Sequence, residues 1–457
     1  MKKTKIICTI GPASSSKQTI TKLFQAGMNG ARINTAYGNL EQYQSIIENV
    51  RETADIPIIF DIKGPEIRIK AAQPRTLKAG DTLDVGFNSG EVCFNHNFYE
   101  EMAPEDTVLI DNGKIRTRVV EKKAQKLHLL VLDDGVVEDG KGVNIPNKHL
   151  PLPTFTGTDL ELIKFAKTHN VEYIALSFAR NVEDVTNLSQ VNGFDGGIIA
   201  KIENFEGVQN ARDILGASSG LMVARGDLGV EIEPERVPLV QKSLIRMCNQ
   251  QGKLVVTATE MLESMIHQPK PTRAEVSDVA NAILDGSDAV MLSGETAVGK
   301  YPVETVELMT RIANETEKAV KSNVEDSAFI NISDTVSRAI QRICQNMPVD
   351  KVVTLTRSGY TARMIARFKV SQPIIAVTPE LNVKKHLELT FGVQPVLVNY
   401  RQEKDRISAV ANKLCEMHLL DDKETVLFTA GMRTKMQHAS NAIEIHKISE
   451  LRHFAAS

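Results

Sequence analysis

The chain has 457 residues, more than one hydrophobic core serves, so about two to four domains are expected. Its 54 Lys and Arg stand against 57 Asp and Glu, which argues against a broad nucleic-acid or membrane-surface role and leaves room only for a locally basic pocket. The five cysteines (Cys8, Cys93, Cys248, Cys344 and Cys415) are widely spaced without a CxxC pair, so neither a disulfide framework nor a zinc site is indicated.

The amino terminus carries lysines before an apolar run, but the run is only Ile6 to Ile10 and breaks at Gly11-Pro12, too short for a secretion signal. No apolar stretch is long enough to span a membrane, so a soluble cytoplasmic protein is expected. The first predicted strand is KIICTI (5–10). GARIN (30–34) follows and ends with Arg32 and Asn34. IPIIFDIK (56–63) ends with Asp61 and Lys63. After KGPEIRIK (63–70) the texture changes to short alternating runs with turn signals, among them TLDVGF, TVLIDNGKIRTRVVEK and KLHLLVLDDGVV. Asp111-Asn112-Gly113 and Asp133-Asp134-Gly135 read as hairpin turns. This is a small all-β insertion over residues 70–153, flanked by Pro65, Pro151 and Pro153 and suited to act as a lid.

Apolar strands resume with EYIALSF (172–178), which carries Ser177, and IIAK (198–201). LMVARGD (221–227) ends with Arg225 and Asp227, KLVVTAT (253–259) with Thr259, and DAVMLSGE (288–295) with Ser293 and Glu295. Helix-like segments at 181–191, 204–215, 236–251 and 273–285 separate them. Near-continuous apolar strands alternating with helices predict a parallel sheet covered on both faces. Eight such units predict a (β/α)₈ barrel, with residues 1–69 and 154–330 in it and the active site at the carboxyl ends of its strands. Past residue 330, a helical pattern at 334–347 precedes KVVTLT, IIAVT, VQPVLV and TVLFTA, which reads as a separate α/β domain over 331–457.

The polar strand ends gather the chemistry. Lys201 and Glu203 are two residues apart at a strand's carboxyl end and so share a side. Arg32, Lys63, Arg68, Lys201 and Arg225 bring positive charge to the predicted face; Asp61, Glu66, Glu203 and Asp227 bring carboxylates. Glu203 and Asp227 suit a hard divalent cation, with water and substrate completing its shell. Gly226 lies just before a predicted helix start, where backbone N–H groups bind a carboxylate or phosphate. Taken singly, each charge also reads as a solvated rim or a structural ion pair, nearly as well as a functional group for Arg68 and Arg225, whereas Lys201, Glu203 and Asp227 together favour function. Neither GxxxxGK[ST] nor a GxGxxG after a strand is present.

The segments TKIICTIGPAS, ARIN, FDIKGPEIR, VLIDNG, KGVNIP, IIAKIENFEG, VARGDLGVEI, ATEMLESMI and DGSDAVMLSGETAVGKYP together resemble the pyruvate kinase family. TLTRSGYTARMIARF and PIIAVTP resemble it more loosely. The resemblance implies a (β/α)₈ barrel, an inserted β-barrel lid and a carboxyl-terminal α/β domain, and transfer of the phosphoryl group of phosphoenolpyruvate to ADP, giving pyruvate and ATP. It also implies a homotetramer. Lys201 aligns with the lysine that stabilises the transferring group and the developing enolate. Glu203 and Asp227 align with the ligands of Mg²⁺ or Mn²⁺. Arg32 aligns with a phosphate-binding arginine, and the backbone of Ala224, Gly226 and Asp227 with the carboxylate pocket. Thr259 aligns with a threonine near the phosphate and the methylene carbon, and Ser293 with a serine in a proton relay to that carbon. Lys63 and Arg68, with Arg32, Asn34 and Tyr37, fall in the phosphate and nucleotide region.

The departures sit in ARINTAYG (31–38), where the family commonly reads ARxNFSHG. The K⁺ ligands become Asn34, Ala36, Asp61 and the carbonyl of Ile62, and Ala36 supplies no side-chain oxygen. Glu66 is the acid that accompanies K⁺ dependence. Tyr37 replaces a histidine near the nucleotide, Glu260 a glutamine, and Pro151 an aspartate of the lid exit. The turn Thr356, Ser358, Gly359 and Thr361 matches a loop that often holds the phosphate of a sugar-phosphate effector, with Arg433 and Lys435 as further positive charge. It is equally an ordinary helix cap. Two other readings compete: a Mg²⁺-dependent barrel lyase or aldolase acting through a pyruvate enolate, and a catalytically weakened ligand sensor.

Overall fold

The computed structural model describes residues 2–322, 324, 331–403, 405–431 and 440–455. All eight apolar runs are strands of one closed parallel barrel: Lys5–Thr9, Gly30–Asn34, Ile58–Ile62, Tyr173–Leu176, Gly197–Ile202, Gly220–Ala224, Leu254–Ala258 and Ala289–Leu292. They pair in sequence order, and closure is made by the first strand against the eighth, with Cys8 opposite Leu292. The runs are apolar throughout because both faces are buried. Ile7, Ile59, Ile199, Met222 and Val256 fill the interior, while Ile6, Cys8, Ile58 and Phe60 face the surrounding helices.

The helices follow from local chemistry. Leu40–Thr53 buries Tyr43, Ile46, Ile47 and Val50, one stripe at helical spacing, and begins with a capping box between Asn39 and Gln42. Thr156 with Asp159 and Thr272 with Glu275 start Gly157–Thr168 and Arg273–Leu284 in the same way. The predicted helix 204–215 is two helices, Phe205–Gln209 and Ala211–Ala217, which meet at Asn210 in a non-helical backbone. Gly226 was expected just ahead of a helix; the helix is Arg225–Glu231, so Gly226 lies inside its first turn.

The inserted β unit leaves after the third barrel strand and is built on a seven-stranded sheet plus a two-stranded one. Alternation in Lys126–Val131 buries Leu127, Leu129 and Val131 against Leu83, Val85, Phe87 and Val119. Asp111-Asn112-Gly113 turns between Thr107–Ile110 and Ile115–Lys123, with all three residues at positive φ. Asp133-Asp134-Gly135 is not a hairpin: Lys126–Val131 pairs with Thr82–Phe87 and Ile115–Lys123, while Gly135–Val137 pairs with Arg75–Leu77. That turn hands the chain from one sheet to the other, and Asp133 is held there by Arg116 at 2.7 Å. The tight hairpin is at Ala124-Gln125, whose φ values are 49° and 58°.

The carboxyl-terminal α/β unit is a five-stranded sheet in the order Val393–Leu397, Ile374–Thr378, Lys351–Leu355, Thr425–Ala430, Ala442–Lys447. The last strand is antiparallel and was not anticipated. This unit closes the barrel from the amino-terminal end of its strands. Leu389, fully buried, joins the barrel-interior cluster with Ile7 and Tyr173. Around it Lys5 Nζ donates to the carbonyl of Val393 at 2.7 Å, Gly392 N–H to that of Lys3 at 2.9 Å, and Lys369 pairs with Asp288 at 2.9 Å. Among the described residues no helix is long and apolar enough to cross a membrane.

Because the Leu389 plug fills a packed interior, Leu389→Ala is expected to lower stability by about 2–5 kcal/mol. Leu381→Ala, at a position 53% exposed, should change it by less than about 0.5 kcal/mol. Urea denaturation followed by circular dichroism reads both.

Candidate active site

All eight strands deliver a polar residue to the carboxyl end of the barrel: Thr9, Arg32, Asp61, Ser177, Lys201, Asp227, Thr259 and Ser293, on the strands or just past them. The centre is a buried ionic cluster. Lys201 Nζ lies 2.8 Å from Glu203 Oε1, 2.8 Å from Ser177 Oγ and 3.1 Å from Asp61 Oδ1. Arg32 Nε donates to Asp61 Oδ2 at 2.7 Å and its Nη1 to Thr9 Oγ1 at 2.9 Å. Ser177 Oγ donates to Asp61 Oδ1 at 3.2 Å, and Phe178 N–H to Glu203 Oε2 at 2.8 Å. Asp61 is thus clamped between two cations.

The protonation states follow from that arrangement. Burial works to raise the Asp61 carboxyl, but Lys201 and Arg32 outweigh it and hold it below its ordinary range. Burial works to lower Lys201, but Asp61 and Glu203 outweigh it and raise it further above its ordinary value. Burial pushes Glu203 up to about 7; Lys201 opposes this and the nearby Asp227 adds to it. The two partners of the Lys201–Glu203 contact therefore shift in ways that one shared ion pair does not explain. The geometry resolves it: one ammonium serves two carboxylates, and Asp61, with Arg32 as a second partner, takes the larger share.

The cluster faces a cavity of about 570 Å³ lined by Arg32, Asn34, Ala36, Tyr37, Asp61, Lys63, Glu66, Arg68, Lys201, Glu203 and Asp227 among others. A second cavity of about 330 Å³ lies against the inserted β unit and shares Tyr37, Glu66, Arg68, Phe178 and Asp227 with the first. Arg32, Asn34, Tyr37, Lys63, Arg68, Lys201, Glu203 and Asp227 of the sequence-predicted set thus meet here; Ala224, Gly226, Thr259 and Ser293 line neither cavity, and Gly226 lines another beside Arg225, Glu260 and Asp278. Gly226 N–H donates to Thr259 Oγ1 at 2.8 Å. The Ser293 hydroxyl is buried and makes no hydrogen bond among the described residues, while its N–H donates to Glu295 Oε2 at 2.7 Å.

One expectation needs correction, and the partners of the other predicted residues can be given. Arg225 does not add charge to the strand-end face; its guanidinium turns outward to Asp278 at 2.6 Å and to the carbonyl of Thr259 at 2.6 Å. Glu66 is engaged by Lys63 at 3.1 Å and by Arg68, so the three form one ion bridge where the inserted unit leaves the barrel. Of the monovalent set, Asn34 Oδ1 accepts the N–H of Ala36 at 3.1 Å, and the Asp61 carboxylate is taken by Arg32 and Lys201. Ile62 lies buried in the third strand. At the candidate effector turn, Thr356 Oγ1 accepts the N–H of Gly359 at 3.0 Å, Ser358 Oγ that of Tyr360 at 3.4 Å, and Thr361 shares a 2.7 Å bond with Ser440. Arg433 and Lys435 lie outside the described residues.

Sequence reasoning passed over Thr9, and named Ser177 without giving it a part in the site. Both stand at the end of an apolar run, the same signal that marked Arg32 and Lys201. The donor set fits a divalent cation of the Mg²⁺ type. Two carboxylates, Glu203 and Asp227, face one cavity and Asp227 pushes Glu203 toward its protonated form. No cluster of three or more His, Cys, Asp or Glu ligands occurs among the described residues. Mg²⁺ characteristically takes one or two carboxylates and completes its shell with water and substrate oxygens.

Comparison with known proteins agrees with this geometry. A family model described as the pyruvate kinase barrel domain matches residues 1–306, and one described as the pyruvate kinase alpha/beta domain matches residues 334–446. The chain is 41% identical to a pyruvate kinase of Sporosarcina psychrophila over 99% of its own length and 81% of the relative's. It is 37% identical to a pyruvate kinase of Clostridium perfringens over 98% of its length and 100% of the relative's. A crystal structure of a pyruvate kinase from Cryptosporidium parvum superposes with a TM-score of 0.90 at 34% identity, covering 98% of this chain and 96% of that one. The chain belongs to the pyruvate kinase family.

Glu203 generates a pH prediction. Its pKa is raised from 4.5 in the unfolded chain to about 7 in the fold, so the favourable contribution of its protonated form is present below about 4.5 and is lost as pH rises through about 7. In metal-free buffer, Glu203→Gln should gain stability relative to the parent as pH rises from about 5 to about 8. Added Mg²⁺ should shrink that gain, because it stabilises the ionised parent side chain. Thermal unfolding across pH, with chelator and with Mg²⁺, measures both.

Proposed function

We propose that this chain transfers the phosphoryl group of phosphoenolpyruvate to ADP, giving pyruvate and ATP. The observation that carries the reading is the Arg32–Asp61–Lys201 cluster, which fixes two cations at the floor of a cavity that also presents Glu203 and Asp227. Glu203 and Asp227 would hold Mg²⁺ or Mn²⁺, which supplies Lewis-acid charge to substrate oxygens when bound.

The chain's own residues account for the rest. Lys201 is held protonated by Asp61 and Glu203, so it acts as a fixed positive charge rather than as a base. Fixed charge suits phosphoryl transfer, in which negative charge moves between oxygens and the protein mainly positions and stabilises it. Arg32, locked on Asp61 and Thr9, orients the phosphoryl group without reorganising during the reaction. Ala224, Gly226 and Asp227 receive the carboxylate, Thr259 lies beside the methylene carbon, and the Ser293 hydroxyl, which has no other partner among the described residues, passes a proton toward that carbon. The nucleotide takes the side nearer the inserted β unit, at Tyr37, Lys63 and Arg68, and closure of that unit excludes water.

K⁺ would bind through Asn34, Asp61 and the Ile62 carbonyl, one side-chain oxygen short because Ala36 has none. A phosphorylated metabolite at Thr356–Thr361 would take over the N–H groups of Gly359 and Tyr360 that now end on Thr356 and Ser358. The reading further includes a cytoplasmic location and a homotetramer, on the family's account.

Coupled measurement of ATP formation tests the function. Lys201→Ala is expected to lower kcat by about 10²–10³-fold or more with phosphoenolpyruvate binding largely kept, because the lost charge matters most in the transition state. Near-normal turnover in that variant would remove the mechanism. For the monovalent ion, Ala36→Ser should lower the K⁺ concentration that gives half-maximal activity by a few-fold. Equal activity when a large organic cation replaces K⁺ would show that the site is not used.

A further inference from the structure

At the end of the seventh barrel strand, two consecutive residues lie in the left-handed backbone region, Thr259 at φ 67° and Glu260 at φ 53°. Neither is glycine, and a β-branched residue is a genuine outlier there. Such a conformation persists only where its surroundings over-determine it. The side chain that does so here is Arg225. Its Nη2 donates to the carbonyl of Thr259 at 2.6 Å and to that of Glu260 at 3.2 Å, and touches the Met261 sulfur at 2.9 Å. Its Nη1 lies 2.8 Å and 2.6 Å from the two carboxylate oxygens of Asp278, with Gln241 at 3.4 Å. Asp278 sits on Arg273–Leu284, a helix of the outer ring, so the fork is anchored on an element separate from the turn it grips.

We infer that Arg225 is the positioning residue for Thr259: anchored on Asp278, its guanidinium holds the strained Thr259–Glu260 turn that sets the Thr259 hydroxyl beside the reaction centre. Three consecutive residues share the task. Arg225 reaches behind the turn to its carbonyls, Gly226 N–H meets the Thr259 hydroxyl from the front at 2.8 Å, and Asp227 lines the cavity. A charge alone does not suffice, because one planar group must reach two carbonyls and a carboxylate at once. Lysine offers no such fork. The part of Thr259 in the reaction rests on the pyruvate kinase reading; the clamp itself does not.

The test uses the full chain with Mg²⁺, K⁺, phosphoenolpyruvate and ADP. Arg225→Lys is expected to lower kcat by about tenfold or more while the KM for phosphoenolpyruvate stays near the parent value, as a misplaced catalytic group does. Asp278→Asn, an isosteric change at a partly exposed anchor, should lower kcat in the same direction by less. Glu260→Gly relieves the strain at the second of the two positions, where the side chain is exposed. In the Arg225→Lys and Asp278→Asn backgrounds it should recover part of the lost kcat. In urea unfolding the order reverses, since Glu260→Gly should stabilise the parent more than Arg225→Lys, where the turn has already relaxed. This arm needs no activity, so it stands even if the parent makes no ATP and the functional reading fails. The inference is overturned if Arg225→Lys and Asp278→Asn keep the parent's kcat, if their losses fall wholly on KM, or if Glu260→Gly acts equally with and without the clamp.

Discussion

The constraint on which the site depends is charge balance around Asp61. A buried carboxylate between two buried cations is stable only if each lone pair and each N–H finds a partner. Here Arg32, Lys201 and Ser177 all converge on that one side chain. The result is a cavity floor whose charges cannot rotate away. With Glu203 protonated the cluster of Arg32, Lys201, Asp61 and Glu203 carries a net positive charge; with Glu203 ionised it is balanced. Because burial and Asp227 place Glu203 near neutrality, that balance is poised. An anion on the Arg32–Lys201 side and a cation on the Glu203–Asp227 side each favour the other, since each relieves the charge the other leaves. On the proposed function, metal and anionic substrate would be coupled through the protein's own ionic network before they touch one another.

The barrel makes this possible by geometry. Eight strands tilt their carboxyl ends to one rim, and each supplies one polar residue there. A single strand supplies few such positions, because alternate residues point outward into the helix-packed core. The inserted β unit leaves from the same rim, next to Asp61, through the Lys63–Glu66–Arg68 bridge. It therefore borders the cavities above the ionic floor without contributing to the floor itself. Glu66, which the family pattern ties to a monovalent cation, is occupied here with the two basic residues at that exit.

Much of this was legible in the chain and some of it was not, for physical reasons. The eight barrel strands were readable because burial on both faces leaves an unbroken apolar run that stops where polar chemistry begins. The strand Ala442–Lys447 was not, because it is an edge whose residues are only half-buried and whose side chains mix polar and apolar. The break at Asn210 was invisible because the sequence on either side keeps helical spacing. The turn at Ala124-Gln125 lacks the glycine that marks left-handed hairpins, whereas Asp133-Asp134-Gly135 carries that mark and does a different job. The candidate site was readable to the level of which residues gather. Which way Arg225 points was not, because its partner Asp278 lies 53 residues on in a helix whose place is set by the barrel.

Buried charge is found at both ends of the barrel, but only the amino-terminal end is close-packed around it. Thr259, Glu260 and Phe178 carry left-handed backbone at the carboxyl rim, and the buried charges lie there as well. The amino-terminal end holds Leu389, the Lys369–Asp288 pair and the buried Lys5, with the α/β unit packed across it. A rim built for charge and reach could not also be close-packed, since the cavity that admits substrate removes the contacts that packing needs. This explains why the clamp on Thr259 must be a buried side chain rather than packing: at an open rim, directed hydrogen bonds are what remains to hold a turn.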